Sequence, residues 1–321
     1  ALTFSGAVGG TTGKALDGFD VNHLAGTAAI SMPIIGASDA SFAGTSGITR
    51  LGNATTSSIT LTGNMYTFAG GDTTLTAAGD ITMSVVGNGT NGIISSNDDI
   101  TISAGNTSGA FKVSGDARVL STATGKTIDI QSNITGVDNT STESLLVSVN
   151  NGGGNGTVKI GGNIAGLNTA GEFKAVTLKG ATAIHLGGTI STAMDTANNH
   201  IDIDGPVILT AATTLDTSAN NGTIDFSSNI NSEGSETNNL TLKSKGGTIT
   251  VNGVIGNAQN IGNLNINDGN TAGTGVITLS GVGASNKVGI TGTVDVGDTG
   301  TDGINLAGSY YNIDGAATFM T

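Results

Sequence analysis

The feature that most constrains this chain is a short unit that recurs along it. Each unit has eight positions and begins with a variable residue, after which an apolar, a polar and an apolar residue follow in turn. Two small or polar residues come next, then one residue of any type, and the unit ends with an apolar residue. Alternation with a period of two is typical of a strand with one buried face. A chain that repeats such short strands has to stack its copies to bury them. Eight stretches fit the unit, and they begin at Ala1, Ser58, Thr127, Thr157, Ala183, His200, Thr223 and Thr248.

The apolar positions of the units are filled in every copy, mostly by β-branched residues, which favour a pleated and buried surface. We therefore expect these side chains, Ile160 and Ile224 among them, to stack on equivalent residues of neighbouring coils. An asparagine precedes the last apolar position in four units. If the coils stack in register, these amides form a hydrogen-bonded ladder along the axis. The four residues are Asn64, Asn133, Asn163 and Asn229.

The spacing of the units indicates the size of one coil. Thr223 and Thr248 begin units 25 residues apart, and a second type of strand follows several units, at 175–178, 239–242 and 263–266. Coils of roughly 25 residues with two or three short strands are typical of a parallel β-helix. The sequence thus predicts an all-β chain in which residues 1–321 form a single β-solenoid segment of a longer array. Residues 9–57 lack a clear unit and are interpreted as an irregular or inserted stretch.

Composition excludes several other classes. The chain has 53 glycines but only 2 prolines, and 11% of its residues are charged. Collagen needs far more proline, and coiled coils need far more charge. The formal net charge of −13 makes nucleic acid and anionic membranes poor partners. The chain has no cysteine, and no apolar run approaches the length of about 18 residues that a transmembrane helix needs.

The units and the intervening strands resemble the passenger regions of bacterial autotransporters and filamentous-haemagglutinin-type secreted proteins. The opening residues, ALTFSGAVGGTT, are especially similar to the repeats of such surface proteins. This resemblance implies a right-handed parallel β-helix, an extracellular location on the bacterial cell surface, and a role in adhesion or in a surface coat. It assigns no individual binding residue, because the shared motif is structural.

One strand carries the best candidate for chemistry. His200, Asp202 and Asp204 alternate with isoleucines and are expected on one outward side. Carboxylates in such a pair bind a cation or act as acid and base, as in β-helical enzymes that cleave polysaccharides. A half-exposed strand also produces this spacing routinely, so a solvated face is the other interpretation. The outward residues of other units are expected to form one row with Asp202 along the stacked coils. They are Asp129, Lys159, His185 and Asp225.

A second candidate lies near the end of the chain. Asp298 opens a stretch that partly matches a calcium-binding loop, which needs oxygen ligands at alternate positions and a late bidentate glutamate. Gly300 occupies a ligand position, and Ser309 stands where the glutamate is needed. A weak Ca²⁺ site formed by Asp295, Asp298 and Asp302 is one interpretation, and a plain loop is the other.

Three functions follow as expectations. The first is a non-catalytic extracellular structural or adhesive protein, such as an adhesin stalk, a fibre or a coat segment. The second is a β-helical carbohydrate-active enzyme, and the third is a calcium-dependent surface-layer lattice protein. Because 316–319 repeats the character of the first four residues, we expect both ends to stack on neighbouring segments or subunits. Host surfaces or glycans are the other expected partners.

Overall fold

The structure, a computed structural model, describes residues 1–9, 15–22, 24–36, 44–84, 92–105, 109–137, 143–150, 155–165, 173–192, 199–267 and 274–321. The chain is nearly all β, and its strands pair in parallel with strands one coil away, about 27 residues along the chain. The predicted β-solenoid is therefore confirmed, with coils slightly longer than expected. A short 3-10 helix, Ser218–Asn220, follows one strand.

The register between coils arranges the strands in three faces, which we call A, B and C. Face A contains β1 (Leu2–Thr3), β3 (Ile30–Met32), β5 (Ile59–Leu61), β8 (Ile81–Met83), β11 (Ala110–Val113), β14 (Asn133–Gly136), β23 (Leu240–Lys243), β25 (Leu264–Ile266), β27 (Val294–Val296) and β29 (Ala317–Phe319). Face B contains β6 (Met65–Phe68), β9 (Gly92–Ser96), β12 (Asp116–Ser121), β15 (Glu143–Val149), β17 (Phe173–Lys179), β19 (His200–Asp204), β21 (Thr223–Phe226), β24 (Ile249–Val251), β26 (Val276–Leu279) and β28 (Gly303–Leu306). Face C contains β2 (Phe19–Val21), β4 (Thr49–Gly52), β7 (Thr73–Ala77), β10 (Ile100–Ala104), β13 (Lys126–Ile130), β16 (Gly156–Ile160) and β22 (Ile230–Ser232).

Two long strands, β18 (Ala183–Ser191) and β20 (Val207–Asp216), join faces C and A. The first half of β18 pairs with β16 on face C, whereas Ile190 in its second half bridges to Ile164, which continues the column of Ile134 on face A. The two strands thus pass through the corner together, with a shift of register between Leu186 and Gly188. The chain visits face A, then face B, then face C in each coil.

The recurring unit describes a corner of the solenoid rather than a whole coil. Its copies are distributed over all three faces, and the last apolar position of each unit begins the next face. This explains why only 17 residues separate the units at Ala183 and His200, which lie on different faces of one coil. The copies begin on face A at Ala1 and Ser58, on face C at Thr127, Thr157 and Ala183, and on face B at His200, Thr223 and Thr248.

The inward side chains form one apolar core. Ile160 and Ile224 are 2% and 0% exposed, which confirms the prediction that both are buried. Ile224 lies in register between Ile201 and Ile249 of the adjacent coils. Each inward residue thus buries its neighbours above and below as well as those across the coil.

Two sequence-based interpretations need correction. Met65 fills the last apolar position of the unit that begins at Ser58 and is therefore expected to point inward. It faces outward, because the neighbouring Tyr66 occupies the core with its hydroxyl bonded to the carbonyl of Met32 at 2.8 Å. The stretch 9–57, interpreted as irregular or inserted, contains β2, β3 and β4, which pair in the regular sheets. Its described parts are ordinary coils, and 10–14, 23 and 37–43 lie outside the described residues.

The predicted ladder of hydrogen-bonded amides is replaced, at three of its four residues, by bonds from each side chain to the backbone of the next coil. The side-chain oxygen of Asn133 accepts the N–H of Asn163 at 2.9 Å, and that of Asn163 accepts the N–H of Thr189 at 2.7 Å. Asn229 does the same for Val254 at 2.7 Å. Each of these side chains satisfies a backbone donor at a corner, where regular strand pairing is interrupted.

The first and last coils expose apolar side chains. Among the strands of the described residues, β1 pairs with β3 alone, and β29 pairs with β27 alone. Leu2 and Phe319 are each 41% exposed, and Phe4 is half-buried against Phe19 in an edge-to-face contact of 5.7 Å between ring centroids. Each outer coil therefore presents a sheet edge together with apolar surface.

Candidate functional site

An open groove crosses β12, β15, β17 and β19 on the outward side of face B. Its volume is about 440 Å³. In these strands the inward positions are filled by buried apolar residues, such as Ile201 and Ile203 in β19. Alternation therefore places His200, Asp202 and Asp204 on the outward side, as predicted, and Asp202 lines the groove.

Two ion pairs hold charged side chains along the groove. The Nζ atom of Lys174 lies 3.4 Å from a carboxylate oxygen of Asp116, and that of Lys179 lies 3.3 Å from Asp204. Both pairs connect strands of different coils. Because all four side chains are partly exposed, the pairs contribute little to stability and mainly fix the positions of charges and hydrogen-bonding groups.

Asp202 is a half-buried outward residue of β19, two residues before Asp204. It is in register with Thr177 on one neighbouring coil and Asp225 on the other. Burial raises the pKa of the Asp202 carboxyl, Lys179 opposes this effect, and the charges of Asp204 and Asp225 add to it. A half-buried carboxyl with a raised pKa in a groove is a recognised sign of a functional position.

Arg118 lines the same groove on β12. Its side chain is exposed, and its outward neighbours in register are the half-buried residues Ile93 and Leu146. Leu146 is followed in the same column by Thr177 and Asp202. Along this column a guanidinium on β12 is followed by an apolar residue, a hydroxyl-bearing residue and the carboxylate of Asp202, while Asp116, also on β12, is paired with Lys174.

Sequence reasoning found the acidic end of this groove and missed Arg118, Lys174 and Lys179. These cations lie on strands that do not fit the recurring unit, and Arg118 is 56 residues from Lys174 in the chain. Only the register of face B brings them together. The sequence did offer one signal for these residues. The chain has only 11 lysines and arginines, so each cationic side chain is a rare feature of the surface.

The outward residues expected in a single row form two separate rows. Asp129, Lys159 and His185 follow one another on face C, whereas Asp202 and Asp225 follow one another on face B. On face C, burial and the charge of Lys159 lower the pKa of His185. The two rows face different directions and do not form one site.

The three candidate calcium ligands occupy different surroundings. Asp295 is an outward residue of β27, Asp302 is exposed, and Asp298 is buried in a corner where one of its oxygens accepts the N–H of Gly300 at 2.8 Å. Across the part of the chain that the structure describes, they are not among the acidic residues whose ligand atoms lie within 4.8 Å of one another. A calcium site at Asp295, Asp298 and Asp302 stays a prediction.

A different group of acidic residues has carboxylate oxygens within 4.8 Å of one another, at a corner between faces B and C. It consists of Asp72, Asp98 and Asp99. Lys126 donates a hydrogen bond to Asp98 and lowers the pKa of that carboxyl, while burial raises the pKa of Asp72. Asp99 accepts the N–H of Thr127 at 2.6 Å. The ammonium of Lys126 thus supplies a positive charge to this group, and the carboxylate of Asp99 also bonds to the backbone of the next coil.

Comparison with known proteins adds no relative. No protein-family model matches the chain, and neither a curated protein nor a solved structure matches it. Among the residues described, none of the helical structure has the length and apolar character needed to span a membrane.

Proposed function

We propose that this chain is a non-catalytic structural and adhesive segment of an extracellular protein on a bacterial cell surface, where it forms part of a stalk, a fibre or a coat. The observation that carries the proposal is the stacking of three faces around one apolar core from β1 to β29. A solenoid of this kind offers long outward surfaces that are independent of the core, which suits contact with extended partners. The resemblance to autotransporter passengers and filamentous haemagglutinins supports the same function and location.

The proposed structural partners are neighbouring coils, either of a longer polypeptide or of a second copy. The edges of β1 and β29, together with the exposed side chains of Leu2 and Phe319, favour stacking on such coils. The proposed adhesive partners are glycans of a host surface. The net charge of −13 disfavours nucleic acid as a partner.

A β-helical carbohydrate-active enzyme is the second candidate. The raised pKa of Asp202 in the groove favours it, because a general acid has to be protonated near the working pH. Glycoside hydrolysis usually needs two carboxyl groups on either side of the bond. Asp204 and Asp116 are each ion-paired to a lysine, which favours binding over acid–base chemistry.

The test uses beads coated with the full chain and a panel of immobilised glycans and host cells. We expect adhesion without release of new reducing ends from any bound polysaccharide. The matched control is a chain with Asp202→Asn, which removes the acid but keeps the shape. Release of reducing ends that is lost in Asp202→Asn would establish the enzyme instead, and absence of adhesion to every surface would reject the adhesive function.

A further inference from the structure

Arg118 places in the groove of face B a guanidinium that has no acidic partner among the described residues. Its guanidinium forms no ion pair with any side chain in the described ranges, in which the salt bridges involve one other arginine and four lysines. Its neighbours in register, Ile93 and Leu146, are apolar, and the acidic residue nearest to it on β12, Asp116, is paired with Lys174. A planar guanidinium with free donors is suited to bidentate binding of a carboxylate.

Cations are also concentrated here against the overall charge. The chain has 11 lysines and arginines and 24 acidic residues, yet Arg118, Lys174 and Lys179 all line this one groove. The apolar side chains beside Arg118 offer no acceptor that would compete with a bound carboxylate.

We propose that this groove binds an extended carboxylated glycan, with Arg118 holding a carboxylate of one sugar and Asp202 accepting hydrogen bonds from hydroxyl groups of another. The assignment rests on the adhesive function proposed above and names the chemical class of its ligand. Lys174 and Lys179, fixed by their own acidic partners, supply further donors along the path.

The spacing of the groove requires a ligand longer than one sugar. Arg118 and Asp202 lie in one outward column, separated by Leu146 and Thr177 on the two intervening strands. Three strand steps of ~4.8 Å place them roughly 14 Å apart. A single pyranose ring is too short for this distance, whereas an oligosaccharide spans it and can continue along the solenoid axis.

The mixed charge of the groove distinguishes a glycan from a nucleic acid. A polyphosphate carries a charge on every unit and would bring phosphates against Asp202 and Asp204. A carboxylated glycan also carries several hydroxyl groups on each sugar, and these hydroxyl groups donate to carboxylates and accept from lysines. Along the column, the guanidinium of Arg118 is followed by Leu146, Thr177 and the carboxylate of Asp202. This order suits a glycan, which presents both carboxylates and hydroxyl groups along its length.

The experiment measures binding of oligogalacturonate to the full chain by isothermal titration calorimetry. The matched ligand is the carboxyl-reduced oligosaccharide, which keeps the hydroxyl groups and loses the charge. Arg118→Gln should weaken oligogalacturonate binding about 10- to 100-fold, as expected for loss of hydrogen bonds to a charged group. Arg50→Gln is the matched control, because Arg50 is the arginine of face C and is paired with Asp20 at 3.4 Å. It should leave binding unchanged.

Several results would overturn the proposal. One is that the carboxyl-reduced oligosaccharide binds as tightly as oligogalacturonate. Another is that Arg118→Gln and Arg50→Gln weaken the binding of oligogalacturonate equally. The third is that oligogalacturonate does not bind to the unmodified chain. Binding of oligoglutamate as tightly as oligogalacturonate would assign the groove to acidic peptides instead. Thermal melting of both variants checks that they stay folded. If coated beads adhere to cells but oligogalacturonate does not bind, only the ligand class fails; if it binds without adhesion, only the adhesive function fails.

Discussion

Replacing Ile224 with alanine tests the stacking that holds the solenoid together. Ile224 is 0% exposed and lies between Ile201 and Ile249 in the core column of face B. The change removes three buried carbon groups, which costs about 2.4 kcal/mol at ~0.8 kcal/mol for each group. The cavity that remains adds to this cost, and isoleucine-to-alanine changes in cores fall at about 2–5 kcal/mol. We therefore expect the free energy of unfolding to fall by about 3 kcal/mol.

The assay is urea unfolding of the full chain, followed by far-ultraviolet circular dichroism. Thr223→Ala is the matched control, because Thr223 precedes Ile224 in β21 and faces outward, where a substitution changes stability by about 0.5 kcal/mol or less. A loss of stability in Ile224→Ala no larger than that in Thr223→Ala would refute the reasoning that inward columns carry the stability of the fold.

A double-mutant cycle with Ile201→Ala separates stacking between coils from burial within one coil. The two isoleucines are register partners in adjacent strands. Residues in contact show coupling free energies of about 0.5–3 kcal/mol, whereas independent positions add within about 0.5 kcal/mol. Additive effects of the two changes would show that each isoleucine is stabilised by its own coil alone. Because solenoids lose cooperativity along their length, the slope of the transition has to be compared in every variant.

Three further changes test close approach, the asparagine ladder and the electrostatics of the groove. Gly247→Ala should lower the free energy of unfolding by more than about 1 kcal/mol, because the new Cβ would lie 1.9 Å from the carbonyl oxygen of Gly222. Gly303→Ala is the control in the same urea assay and should be tolerated, because a Cβ at this position meets no atom within 4 Å. Asn163→Ala should cost about 1–3 kcal/mol by leaving a neighbouring coil's N–H without its acceptor, and amide hydrogen exchange at that N–H should accelerate. Because burial raises the pKa of Asp202, the folded chain binds this proton more tightly than the unfolded chain does. Stability should therefore rise as the pH falls through the folded-state pKa, and a pH series of unfolding curves should lose that contribution in Asp202→Asn.

The core could be predicted from the sequence because inward positions obey one rule. Stacking demands a β-branched or other apolar residue at each inward site, so the pattern is visible at Ile160 and Ile224 without any structure. Met65 shows where the rule fails: a neighbouring Tyr66 took the inward place because its hydroxyl reaches a backbone carbonyl at a corner. Period-two alternation alone does not choose between two adjacent apolar residues.

The groove could be predicted only in part, because its residues are related by register and not by sequence distance. His200, Asp202 and Asp204 share a strand, so their common side follows from alternation. Arg118 and Lys174 are separated by coils of unequal length, and a change of one residue in any coil would move the side chain to another position. The number of faces had to be known before their rows could be assigned.

The division between inward and outward positions also explains why the proposed binding function is assigned to outward residues. Inward residues such as Ile224 are constrained by both neighbouring coils, so a change there affects stability first. Outward residues such as Arg118 and Asp202 contribute little to the core and can vary independently in each coil. Each coil adds one outward position to a column at ~4.8 Å, so a binding surface is built stepwise from residues far apart in sequence. A ligand that matches such a surface is itself extended and repetitive, which is why a polymer with regularly spaced groups suits this groove better than a small molecule.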